Sequence, residues 1–174
     1  PIAPGLNAYE ACGAADGATM FLIGADLGDT NRDFVGRLGG VFALDASGEP
    51  RRLTDAQTVQ VEHGLTPFGR DGVLTIVNER GTTRPLTVRA DGTVATWPTG
   101  EASVLGAAEI PGDPTRIVVT VTTPDSPPEV GILDASGALT VLTDFSGRLR
   151  AASPGVRPIE LTATASDGYP VHGW

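Results

Sequence analysis

In a chain of 174 residues, a pattern that returns three times at a near-constant interval leaves few ways to fold. The pattern is Leu44-Asp45-Ala46-Ser47-Gly48, then Val88-Arg89-Ala90-Asp91-Gly92, then Leu133-Asp134-Ala135-Ser136-Gly137, with the turn glycines 44 and then 45 residues apart. Five residues after each glycine stands a large apolar residue: Leu53, Trp97 and Leu142. The first and third copies then continue identically, as Leu53-Thr54-Asp55 and Leu142-Thr143-Asp144. Ahead of each copy a second turn, at Asp16-Gly17, Asp71-Gly72 and Gly112-Asp113, separates two further apolar runs. Each unit therefore holds four short strands.

In the second unit the strands are predicted at 58–63, 73–78, 85–89 and 93–97, and in the third at 103–110, 116–122, 129–133 and 139–142. The first unit is stretched by an insertion, Asp26 to Gly40, read as a long loop between its second and third strands. The 23 glycines and 14 prolines fit frequent turns and short elements. Four strands every 40 to 45 residues is the period of a β-propeller blade, a sheet that must stack against neighbours to cover its faces. The fold class expected is all-β: a β-propeller fragment of three four-stranded blades, about 1–56, 57–101 and 102–145. Three blades do not close a ring, so their open edges call for further blades, another partner, or self-association with a second copy.

After the third unit the pattern stops. Residues 146–158, with Pro154 and Pro158, read as a linker, and 159–174 as a hairpin turning at Ser166-Asp167-Gly168 and ending His172-Gly173-Trp174. A blade closing on Leu-Thr-Asp, a proline-bearing linker, a strand entered through Pro158-Ile159-Glu160 and a Ser-Asp-Gly turn together resemble the prolyl oligopeptidase-like serine peptidases, where a propeller leads into the hydrolase domain. The resemblance runs over essentially the whole chain. It implies that this is the last part of such a propeller, that the hairpin leads toward a missing α/β-hydrolase domain, and that this domain is the partner. It also implies a role: covering the active site so that only short peptides reach it.

No catalytic residue carries over, since the family's serine, aspartate and histidine lie in the hydrolase part. The sequence has no Gly-x-Ser-x-Gly elbow, and its two histidines suggest no ordered triad. The substrate-binding candidates are Glu62 and His63, read as the end of the second unit's first strand, the strand that lines a propeller's channel. A solvated strand end is the plainer reading of the same pair. Asp26, Asp29, Asn31 and Asp33 put oxygens on one loop, but without the EF-hand spacing and with Arg32 and Arg37 among them, so no metal is expected. No cofactor is expected either. Trp97 is read as core between two blades, and Cys12 as a buried, inert thiol. His172 and Trp174 are expected to pack on the hydrolase domain, and Arg148, Arg150 and Arg157 to be solvated.

A formal charge of −9 and a pI near 4.5 argue against nucleic acid and anionic membrane surfaces as partners. No apolar run approaches the roughly 20 residues of a membrane-spanning helix. Pro1 is not a natural start, so any export signal could stand upstream and its absence says little; the compartment stays open, leaning to the cytoplasm. Two readings remain: the non-catalytic cap of a serine peptidase, or a stand-alone binding or scaffold propeller. The first accounts for the terminal hairpin; the second does not.

Overall fold

The computed structural model describes residues 5–32, 36–44, 46, 48–153 and 155–173. It bears out the all-β class: three four-stranded antiparallel sheets succeed one another along the chain, and a two-stranded hairpin comes after them. The first sheet is β1 (Leu6–Gly13), β2 (Met20–Asp26), β3 (Gly40–Leu44) and β4 (Pro50–Arg52). The second is β5 (Gln60–Phe68), β6 (Gly72–Glu79), β7 (Thr82–Arg89) and β8 (Val94–Thr96). The third is β9 (Ser103–Ile110), β10 (Asp113–Thr123), β11 (Ser126–Asp134) and β12 (Leu139–Val141). Within each sheet the strands lie in chain order, the meander of a propeller blade.

The repeated turns have a common cause. Gly48, Gly92 and Gly137 all take positive φ, at 78°, 95° and 93°, where a side chain would strain the backbone. Asp91 and Asp134 accept the N–H two residues on, from Thr93 at 2.7 Å and Ser136 at 2.8 Å.

The apolar residue five places after each glycine donates its backbone N–H across the sheet: Leu53 to Val41 O, Trp97 to Pro85 O and Leu142 to Val130 O. In the first and third units the next residue, a threonine, returns the bond. Thr54 Oγ1 accepts from Val41 N at 3.1 Å, and Thr143 Oγ1 from Val130 N at 2.9 Å. In the second unit the donor position is Pro85, which has no N–H, and the threonine position is Pro98. Donor and acceptor are lost together, so no backbone group is left unpaired there.

Packing joins the sheets face to face. On one face of the second sheet Val73, Val77, Leu86 and Val88 meet Phe21, Ile23 and Val41 of the first. On the other, Leu74, Ile76 and Trp97 meet Val104, Ile117, Val119 and Leu133 of the third. This is why residues 72–77 are buried without a break, where a strand with one wet face would alternate. The first strands β1, β5 and β9 lie side by side, while the short fourth strands sit at the far edges.

Several strands run longer than predicted. β5 continues to Phe68, so Glu62 and His63 lie inside it at register shifts and not at its end. Gly64, at φ 81°, and Glu10, whose carboxylate accepts from Gly64 N and Leu65 N, carry the strand through. β10 and β11 extend into a two-residue turn at Pro124-Asp125.

The linker region is not wholly irregular. A short helix, α1 (Gly147–Ala152), comes after the third sheet, its Arg150 N donating to Ser146 O at 2.9 Å. Leu149, Arg148 and Ala151 are good helix formers, which periodicity over so few residues could not reveal. Beyond it β13 (Leu161–Thr164) and β14 (Pro170–Gly173) pair only with each other.

Candidate functional site

Glu62 is half-buried and His63 exposed, on the strand that lies between β1 and β9. The His63 carbonyl accepts from Thr75 Oγ1 at 3.4 Å. Beside Glu62 stands Tyr9, exposed on β1. Partial burial first, then the charges of Glu62 and Glu10, raise the Tyr9 hydroxyl above its ordinary pKa. Sequence reasoning missed Tyr9, because its neighbour is 53 positions away on another sheet.

Cys12 is only half-buried and not enclosed as expected, because it lies at the margin of the first intersheet core, one residue from the end of β1. Its thiol is pushed up by burial and by Glu10, which keeps it a poor nucleophile. Of the acidic loop, Asp26 accepts from Gly28 N at 2.7 Å, and Asp33 lies outside the described residues. Among the described residues no three His, Cys, Asp or Glu side chains gather as a metal would require.

Two arginines expected to be solvated are instead engaged within the chain. Arg150 donates to Asp144 and Ser146 and lies 3.5 Å from Glu129. Arg157 grips Asp125 with two parallel bonds, one of them from Nε at 3.0 Å, and lies 3.6 Å from Glu101. Arg148 keeps to the expectation of exposure.

Among the described residues the most heavily bonded carboxylate is Glu129 of β11, 3% exposed. Its carboxylate accepts from Thr143 Oγ1 at 2.5 Å, Phe145 N at 2.9 Å, Ser146 N at 2.8 Å and Ser146 Oγ at 2.6 Å. The Ser146 and Thr143 hydroxyls lead in holding it down to about 2. Nothing marked it as functional in the sequence. The signal it carried was its parity: Glu129 shares the buried alternation of Gly131 and Leu133, a position where a charge needs partners.

At one end of the second and third sheets lies an open cleft of about 630 Å³, bordered by Arg80, Glu101, Thr123, Pro124, Arg157 and Glu160. Near it His172 is held within the chain, its Nδ1 3.0 Å from Glu160 Oε1, while Trp174 lies outside the described residues.

Exposed apolar side chains are concentrated after the third sheet. Phe145 is 79% exposed, Val156 92%, Ile159 76% and Tyr169 69%. Every residue of the two hairpin strands apart from Gly173 is exposed.

No protein-family model matches the chain, and no curated protein matches it. Solved structures do. The chain is similar to the acylaminoacyl peptidase of Pyrococcus horikoshii, with a TM-score of 0.70 at 19% identity over 97% of this chain and 24% of that one. It is similar to a puromycin hydrolase, with a TM-score of 0.58 at 19% identity over 96% of this chain and 25% of that one. A TolB-type structure from Agrobacterium tumefaciens aligns with a TM-score of 0.56 at 15% identity, over 78% of this chain and 50% of that one. At such identities the likeness is one of fold, and the chain spans about a quarter of the length of the two hydrolytic enzymes.

Proposed function

We propose that this chain is the non-catalytic propeller portion of a prolyl oligopeptidase-like serine peptidase, and that it gates the access of short peptides to a separate α/β-hydrolase domain. The observation that carries this is the terminal hairpin. Two strands alone are marginal in water, and β13 and β14 are paired with each other only while exposing Leu161 and Val171, with Tyr169 exposed in the turn between them. Such a hairpin needs a surface to lie on. A folded domain joined to it supplies one. The fold likeness supports the same reading, since it runs over 96–97% of the chain in the two hydrolytic enzymes but over 78% in the TolB-type structure. In this reading residues 1–145 form the blades, 146–158 connect, and 159–174 open the hydrolase domain.

The test is hydrolysis of a panel of blocked and unblocked short peptides by this chain and by the longest natural form of the protein. Activity in the long form alone, abolished by a serine-directed inhibitor, is the expected outcome. Inactivity of both would favour a binding or scaffold propeller.

Within the gate, Glu62 and His63 are the residues proposed to meet the peptide, with Tyr9 beside them. In the long form, Glu62→Ala with His63→Ala is expected to raise KM several-fold and leave kcat nearly unchanged, because these groups bind without taking part in bond cleavage. An unaltered KM across the peptide panel would remove them from the peptide path.

A further inference from the structure

The segment leaving the third sheet is fastened at two points of different character. The first is buried: Glu129 gathers Thr143, Phe145 and Ser146, so the start of α1 moves with the sheet. The second is open to water. The side chains of Arg157, Asp125 and Glu101 are 60%, 56% and 75% exposed. Between the two points, Gly155 lies so close to the β10–β11 turn that an added Cβ would stand 3.1 Å from Pro124 O, and the next residue, Val156, is almost fully exposed.

Beyond Val156 the chain is one connected piece. Arg157, Pro158 and Glu160 form a wall of the cleft, facing the Arg80-Gly81 turn, the Thr123 end of β10 and Pro124 of the turn that follows it. Glu160 is bonded to His172, and β13 is paired to β14 from Leu161↔Gly173 to Thr164↔Pro170.

We infer that residues 157–173 are a strap, closed against the cleft while Arg157 holds Asp125 and Glu101, and swinging away as a unit about Gly155 and Val156 when that contact is released. An exposed ionic tie weakens as salt screens it, whereas the buried one is little affected. A partner carboxylate offered to the Arg157 guanidinium would release it too, because the fork binds one carboxylate bidentately at a time. The strap does not rest on the peptidase reading; in that reading the hydrolase domain joined to the hairpin moves with it.

The experiment is a distance measurement between nitroxide labels at Thr96→Cys, on the second sheet, and Thr164→Cys, on the hairpin, in a Cys12→Ser background of this chain. One narrow distribution is expected at low salt and a broader, shifted one at high salt. Arg157→Gln is expected to give the broad distribution already at low salt, Asp125→Asn to do the same, and Arg148→Gln to match the parent. Far-UV circular dichroism and the urea midpoint, compared with the parent, report that the sheets are intact in each variant. Parent-like distances in both Arg157→Gln and Asp125→Asn at low salt, or a parent distribution indifferent to salt, would overturn the strap. Neither outcome bears on peptide hydrolysis.

Discussion

Trp97→Ala is expected to lower the free energy of unfolding by about 3–5 kcal/mol, the usual cost of emptying a buried aromatic site. Trp97 is 6% exposed and meets Phe68 edge to face, with ring centroids 6.0 Å apart and planes at 86°. It fills the interface between the second and third sheets, and a cavity there would be bounded by strands whose registers cannot shift to close it. Leu142 occupies the same place in the third repeat but is 58% exposed, so Leu142→Ala is expected to stay within about 0.5 kcal/mol of the parent. Urea unfolding of both variants checks the pair. A large cost at Leu142 would mean that the far face of the third sheet is covered in solution, and concentration dependence of that cost would identify a second copy as the cover.

Glu129→Gln is expected to lower the thermal midpoint by several degrees at neutral pH and to flatten its dependence on acid. An amide can accept at only one of its two ends, so donors now satisfied by the second carboxylate oxygen would be left facing an NH₂ group. In the folded chain Glu129 titrates at about 2, below its ordinary value of 4.5. A depressed carboxylate contributes stability that is fully present above the unfolded value and is lost as pH falls through the folded one. The parent is therefore expected to lose stability between about pH 4.5 and pH 2, and Glu129→Gln to lose less over that window. Asp113, also held at about 2 by Thr115 and Arg116, contributes to the same acid loss in both proteins. The difference between the two melting curves isolates Glu129. Parallel curves would mean that the carboxylate is not the acid-sensitive group.

The repeat was legible because it is made of local chemistry. Positive-φ glycines and aspartate-capped turns act within five residues, and the Leu-Thr-Asp ending encodes two cross-strand hydrogen bonds. Strand lengths were less legible. In sequence β5 stops at His63 because Gly64 reads as a break, yet Glu10, on another sheet, captures the N–H groups that the bulge frees. The helix after the third sheet is invisible in the sequence because six residues carry too little periodicity to separate from a linker. Of the site candidates, Glu62 and His63 fall on the expected strand, but their neighbour Tyr9 emerges only once β1 and β5 are brought together.

What the sequence alone determined was the kind of unit and its number. Turn chemistry at a fixed interval specifies four-stranded sheets, and three copies of the interval specify three of them. The tertiary structure decided which side of each unit is core and which is surface. Leu53, Trp97 and Leu142 are equivalent in the repeat, yet they are half-buried, buried and exposed, because burial depends on whether another sheet lies against that face. It also decided that Arg150 and Arg157 are fastenings and not solvated charges: Asp144 lies only six positions from Arg150, but Glu129 and Asp125 lie 21 and 32 positions from Arg150 and Arg157 and meet them only after the third sheet has folded. Local propensity travels with the chain, whereas burial and ion pairing depend on which distant segments arrive beside it.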